Sequence, residues 1–421
     1  MNEIFGTSMI YSLSHEAEGI GEFEGNTVRI PFSLPGETVT FKQIGSKKRK
    51  KFLFQSVETS SESRIAPVCR HFTQCGGCTL QHMNKELYHE FKRSLITIPL
   101  QQNGLDPLLV SDIIILPFGK RRRANMDIIK KNDIVYLGFH RWKSHQIIDL
   151  KECHTLSPAL KALLPPFRET LNSVLENFQK AKIFLTETAF GVDFSLEIQG
   201  VLELTELQRD ILKSFALENK IIRFIFRHGK KTDCIYKTID PIVVFDGVEV
   251  GIDAYSFLQA TEEADNVLTS LVMDNIPKTF TKAADLFCGR GTFSFPLSRI
   301  GAVDGFELDK LALQALKDAI LKSQRKITPY QRNLFDDPLS THELNSYDAV
   351  VIDPPRAGAL EQVKTLKNSS VQTIAYVSCN PQTFARDAKE LISGGYDLKK
   401  VTAVDQFAWS AHLEVVGIFI K

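Results

Sequence analysis

The sequence lacks three features that would assign a chain to a broad class at once. It has no charge excess: 51 Lys and Arg against 50 Asp and Glu leave a formal charge of +1, so overall charge names no polyanionic partner. It has no apolar segment near the ~20 residues of a membrane span, and its opening residues include acids where a secretory leader needs basic and then apolar residues. The expectation is a cytoplasmic protein with no membrane partner. An even set of cysteines is missing too. Seven cysteines without a leader argue against a disulfide framework and for reduced thiols with metal or catalytic roles. Internal repeats and low-complexity linkers are also absent.

What is present suits a multidomain α/β protein. A chain of 421 residues, 43% of them hydrophobic, exceeds one ordinary core and predicts two or three domains. Residues 1–62 read as short, closely spaced strands, among them Ile10–Leu13, Thr27–Phe32 and Glu37–Phe41, with a Pro35-Gly36 turn. That pattern predicts a small OB-like β-barrel, a type that often binds nucleic acid. A cysteine-rich loop at 67–79 and a helix from Asn84 to Gln101 open a central α/β domain, 63–250, which is discontinuous if that helix packs on the last domain instead. From 251 to 421 strands and helices alternate regularly, predicting a Rossmann-like doubly wound domain. Two basic runs, Lys47-Lys48-Arg49-Lys50-Lys51 and Lys120-Arg121-Arg122-Arg123, are either solvated loops or grips for a phosphate backbone.

In the last domain, Gly289-x-Gly291 lies between a predicted strand and helix, so its backbone can closely approach a ligand. Glu307 ends the next strand, where an acid can accept ribose hydroxyls. A dinucleotide turn wants a third glycine at 294, where Ser294 stands; this tilts the reading towards S-adenosylmethionine. Asp353-Pro354-Pro355-Arg356 follows a later strand. Amino-group methyltransferases place a base-stacking aromatic residue after such an acid-Pro-Pro, and Arg356 replaces it, so amino-nitrogen chemistry becomes the lesser option.

Cys379, in Ser378-Cys379-Asn380-Pro381, stands where the apolar run Ile374–Val377 stops, at the strand edge where α/β folds bind ligands. It is either a buried structural thiol or a nucleophile whose pKa the following helix would lower. A pyrimidine C5 can attack a sulfonium methyl only after thiolate addition at C6, and a base must then remove the C5 proton. Glu414, in His412-Leu413-Glu414, is the candidate base; a solvated strand end is the alternative.

Asp285-Leu286-Phe287-Cys288-Gly289, Asp353-Pro354-Pro355-Arg356-Ala357-Gly358, Ser378-Cys379-Asn380-Pro381 with Thr383, Ala385, Arg386 and Asp387, and His412-Leu413-Glu414 together resemble the RumA/TrmA-like family of RNA uracil-C5 methyltransferases. Phe257-Leu258-Gln259, Arg121-Arg122-Arg123-Ala124 and the N-terminal strands, which look like a TRAM domain, extend the resemblance across nearly the whole chain. It implies Cys379 as nucleophile and Glu414 as base. It further implies S-adenosylmethionine contacts at Gln259, Phe287, Gly289, Gly291, Thr292, Glu307, Asn333 and Asp353, and RNA contacts at Phe257 and the basic runs. Two departures stand out. Thr292 occupies a position that is often Asn, and Phe407–Ala411 lacks the polar residues expected before Glu414.

Cys69-x5-Cys75-Gly76-Gly77-Cys78, completed by Cys153, makes a cluster or metal site, with zinc and iron–sulfur equally compatible on spacing. The resemblance implies a [4Fe-4S] cluster, a mark of the family's ribosomal branch, and so 5-methyluridine formation in 23S ribosomal RNA by a monomer that does not act on DNA. Methylation of tRNA, and a non-catalytic iron–sulfur RNA-binding or assembly factor, are the alternatives.

Overall fold

The computed structural model describes residues 4–46, 49–229 and 231–421. The N-terminal unit is an antiparallel sheet of β1 (Ile4–Leu13), β2 (Glu18–Phe23), β3 (Asn26–Pro31), β4 (Thr38–Ser46) and β5 (Arg49–Thr59), in the order β3-β2-β1-β4-β5. Alternating residues Ile10, Val28, Ile30, Val39 and Phe41 pack into its small core, as period-2 patterning demands. The expected small barrel is met only as this five-stranded antiparallel sheet: among the described residues no ladder joins β3 to β5. Pro31 ends β3 without an N–H to donate, and Phe32 turns into the left-handed region at φ 61°, so β3 remains an edge.

Next come α1 (Lys85–Gln102) and the two-residue strand β6 (Ile114–Ile115), both of which belong spatially to the last sheet. Asn84 caps α1 by accepting from the Leu87 N–H at 2.9 Å. The second sheet holds β7 (Arg123–Lys131), β8 (Ile134–Gly138), β9 (Lys180–Thr188), β10 (Gly191–Ile198), β11 (Ile221–His228) and β12 (Lys231–Lys237), in the order β12-β11-β10-β9-β7-β8. Helices α2 (Pro158–Val174) and α3 (Glu206–Glu218) cover it around Phe167, Phe194, Phe215 and Phe224.

After the hairpin β13 (Ile242–Phe245) and β14 (Val248–Gly251), the chain builds an eight-stranded sheet. Its strands are β15 (Lys282–Leu286), β16 (Ala302–Glu307), β17 (Ile327–Gln331), β18 (Ala349–Ile352), β19 (Thr373–Ser378), β20 (Asp397–Asp405) and β21 (Glu414–Ile420), with β6 at one edge. The order is β17-β16-β15-β18-β19-β21-β20-β6. Strands β15 to β19 are parallel, and β18 and β19 are buried along their whole length, as expected of strands covered on both faces. Two apolar layers cover them. One includes α1, α8 (Leu360–Leu366) and α9 (Pro381–Ser393); the other includes α4 (Glu262–Asn275), α5 (Ser294–Leu297) and α6 (Lys310–Ser323). The short α7 (Thr341–Leu344) carries its own capping box.

The strand order reverses between β15 and β18, so the crevice for a ligand opens at their carboxyl ends. Strand β21 runs antiparallel to β19, pairing Val415 with Ser378. Its first residue therefore lies at that same edge. Among the described residues no helix is long and apolar enough to cross a membrane.

Candidate active site

The turn after β15 begins with Phe287 at φ 63° and passes through Gly291 at φ 95°. A Cβ on Gly291 would meet Phe295 and Leu316 at 2.8 Å, so glycine is required both for conformation and for space. The Gly289 N–H donates to Glu307 at 2.9 Å, and the Asp309 N–H donates to the other carboxylate oxygen at 2.7 Å. The turn and the acid thus orient each other. Thr292 is half-buried in the turn, and the rings of Phe287 and Phe335 lie 5.5 Å apart. Asn333 accepts from the Phe335 N–H at 3.2 Å, and the Phe287–Phe335 contact sets the Asn333 loop beside the turn.

The acids here carry little compensation. Buried Asp285 is pushed up to about 7 by burial and then by Asp353 and Glu307, although Ser294 donates to it at 2.5 Å. Its second oxygen has no partner among the described residues. Burial and Asp265 likewise push Asp353 to about 7. Uncompensated carboxylates beside a glycine turn suit a cationic nucleoside, and the sulfonium and ammonium of S-adenosylmethionine meet that demand.

Cys379 follows β19 and precedes Asn380, the N-cap of α9, with Pro381 at the first helical position. The loop after β18 is fastened to this helix. Asn380 Nδ2 donates to the Arg356 carbonyl at 2.9 Å, Arg386 donates to the Ala357 carbonyl at 3.0 Å, and Asp387 accepts from the Ala359 N–H at 2.8 Å. Gly358, at φ 76°, leaves no room there for a Cβ. The helix was expected to lower the Cys379 pKa, but the balance goes the other way. Burial raises the thiol to about 11, with further push from Glu414 and Asp353, and Arg356 only partly opposes them.

Glu414 is buried and pushed up to about 8, first by burial and then by Asp353. It accepts from Gln406 Nε2 at 3.1 Å. The same Nε2 donates to Gln259 Oε1 at 2.6 Å, while Gln406 Oε1 accepts from the Ala260 N–H at 2.8 Å. Gln406 therefore links the residue implied for the cofactor to the residue implied as base. Sequence reasoning missed it; the polar residue amid the buried end of β20 was the available signal. Lys92 of α1 lies buried against Asp405 at 2.7 Å and donates to the His412 carbonyl at 2.7 Å. It thereby fixes the loop before Glu414.

Cys379 opens into a cavity of about 750 Å³ whose walls include Phe118, Arg121, Trp142, Arg356 and His412. Arg356 lies 3.2 Å from a ring nitrogen of His412. Burial, with Arg356, lowers that imidazole to about 4.

The basic runs divide. Lys47 and Lys48 lie outside the described residues, as does the Arg49 side chain; Lys50 is exposed, and Lys51 donates to the Lys143 carbonyl at 3.2 Å. Arg121 reaches the cavity. Arg122 does not, which corrects its assignment as an RNA contact: it is buried against Asp265 and donates to the Gln259 carbonyl at 3.2 Å. Arg123 donates to the Leu258 carbonyl at 3.0 Å, with the exposed Phe257 ring 5.9 Å from its guanidinium.

Cys69, Cys75, Cys78 and Cys153 line one small pocket with the apolar Phe72, Phe139 and Leu150. Burial pushes Cys75 to about 11 and Cys78 to about 12, and the other cysteines add to both shifts. Among the described residues, no three His, Cys, Asp or Glu side chains are arranged to hold a single metal ion.

Residues 302–421 match the family model described as tRNA (Uracil-5-)-methyltransferase. An uncharacterized RNA methyltransferase of Agrobacterium fabrum is 39% identical, covering 99% of this chain and 99% of the relative. The chain belongs to the uracil-C5 RNA methyltransferase family. It is therefore an enzyme that transfers methyl groups from S-adenosylmethionine to RNA. A Shewanella protein named 23S rRNA (uracil(1939)-C(5))-methyltransferase RlmD is 29% identical over 97% of this chain and 94% of its own length. The crystal structure of Pyrococcus abyssi tRNA (uracil-54, C5)-methyltransferase, in complex with S-adenosyl-L-homocysteine, superposes with a TM-score of 0.74 at 23% identity. It covers 99% of this chain and 100% of that one, a likeness of fold.

Proposed function

We propose that this enzyme forms 5-methyluridine in 23S ribosomal RNA, with Cys379 as nucleophile and Glu414 as base. The observation that carries the reading is the pair itself: a thiol ending β19 and a buried carboxylate opening the neighbouring antiparallel β21, both at the mouth of the crevice. The Cys379 thiolate adds to C6 of the flipped-out uracil, leaving an enolate whose C5 is nucleophilic. S-adenosylmethionine supplies the methyl group to that carbon and departs as the neutral thioether. Glu414 takes the C5 proton, and the electron pair returns to expel Cys379 from C6. Gln259, Phe287, the Gly289–Thr292 turn, Glu307, Asn333 and Asp353 are the residues that would hold the donor.

The four cysteines support the ribosomal target and a [4Fe-4S] cluster. Cys69, Cys75, Cys78 and Cys153 line one small pocket, and since burial raises the Cys75 and Cys78 thiols, a cationic group there would favour their thiolates. Cys69, Cys75, Cys78 and Cys153 would hold it, and the Gly77 N–H at 3.4 Å from the Cys75 sulfur would tune it. Its role is to order the loop that follows.

Labelled S-adenosylmethionine offered with unmodified 23S and tRNA transcripts decides the target. Label in uracil C5 of 23S RNA is the expected result; label in tRNA alone overturns the ribosomal reading. Full activity in Cys379→Ala overturns the mechanism. Anaerobic protein should contain iron and sulfide, and stoichiometric zinc in their place rejects the cluster.

A further inference from the structure

The cavity beyond Cys379 is far larger than one pyrimidine ring fills, and one of its walls is an aromatic platform. Phe118 lines it with 44% of its surface exposed. Its ring lies 4.2 Å from that of Trp409, tilted by 41°.

Trp409 is held in a costly conformation. Its φ is 54°, a region in which bulky residues persist only when their surroundings impose it. Three hydrogen bonds do so: its carbonyl accepts from the Thr79 and Leu80 N–H groups at 2.7 and 3.0 Å, and its own N–H donates to the Tyr88 hydroxyl at 3.1 Å. Tyr88 is in turn anchored on Asp405 at 2.5 Å. The Trp409 backbone is therefore held by the cysteine loop and α1, and its ring packs against Phe118.

Cations adjoin the platform. Lys120 and Arg121 follow Phe118 in sequence and line the same cavity, as does Arg356 on the opposite loop. A rigid aromatic face beside cations suits an unstacked base and its phosphate, the means by which proteins hold single-stranded RNA.

We infer that Phe118, backed by Trp409, is a stacking subsite for an unpaired nucleobase flanking the target uridine. The inference rests on Cys379 receiving that uridine. A base stacked on Phe118 holds the neighbouring nucleotide out of its own helix, so the target enters the crevice from a strand already turned towards it. An unpaired neighbour is thereby part of what the enzyme selects.

The test uses Phe118→Ala and Phe118→Tyr with the RNA fragment that the wild-type enzyme methylates, carrying 2-aminopurine on either side of the methylated uridine. Removing one base–aromatic stack should raise KM for RNA roughly 5- to 150-fold. It should also abolish the fluorescence quenching of one flanking 2-aminopurine. Phe118→Tyr should restore both, and S-adenosylhomocysteine binding should match wild type in all three proteins. Unchanged KM and quenching in Phe118→Ala overturn the subsite. Failure of the wild type to form a covalent RNA adduct overturns the Cys379 reading instead, so the two failures are distinguishable.

Discussion

Replacing Gln406 by methionine removes the donor it offers the base, together with its bonds to Gln259 and the Ala260 N–H. Methionine matches the length and volume of glutamine but donates nothing, so Glu414 loses its 3.1 Å hydrogen bond with little change in packing. A hydrogen bond to a charged group is worth roughly 1.5–3 kcal/mol, and 1.36 kcal/mol corresponds to about one pKa unit. The bond favours the carboxylate, so its loss should move Glu414 from about 8 upward by roughly one to two units. A general base works above its pKa. Abstraction of the C5 proton near neutral pH should therefore slow by roughly ten- to a hundredfold and recover as pH rises. The assay is decay of the methylated protein–RNA adduct after a single turnover, followed at several pH values on denaturing gels. Because that adduct has already consumed the thiolate, Cys379 does not enter the measurement. Equal decay rates and superimposable pH profiles for wild type and Gln406→Met would refute the reasoning. Glu414→Gln supplies the reference, since it should retain the adduct at every pH.

Three other outcomes follow from the same geometry. Iodoacetamide labelling of Cys379 should be slow at neutral pH, because its thiol lies at about 11. Sinefungin, a cationic donor analogue, should shift the labelling profile to lower pH by offsetting Asp353, more than neutral S-adenosylhomocysteine does; identical profiles argue against that coupling. Asp265→Asn should destabilise the fold by roughly 3–5 kcal/mol, read as a drop in Tm, because Arg122 would be left buried without its partner. A double replacement by apolar residues should recover much of the loss. Glu307→Ala should weaken donor binding by calorimetry, since the Gly289 N–H loses the acceptor that orients the turn.

The part of the fold that could be read from sequence is the part set by local pattern. Apolar runs ending in Gly289, Glu307, Asp353 and Cys379 announce parallel strands with chemistry at their carboxyl ends, and the structure has β15, β16, β18 and β19 there. Contributions across long sequence separations were not legible. The two-residue β6 precedes the second sheet in sequence yet completes the eight-stranded one, and no periodicity distinguishes its destination. Arg122 reads like its neighbours until Asp265, on α4, is found against it. The Cys379 thiol shows a similar limit: the helix that would lower it is visible in Asn380-Pro381, whereas burial and the distant Asp353 and Glu414 that outweigh it belong to tertiary structure.

The pairing of Val415 with Ser378 makes the gap between thiol and carboxylate a property of the sheet lattice. Adjacent strands lie about 4.8 Å apart whatever connects them, so the turn between α9 and β20 at Gly394–Gly395 can change length without moving the two groups relative to each other. Insertions in that turn should therefore be tolerated far better than a one-residue slip in β21, which would turn Glu414 to the opposite face of the sheet.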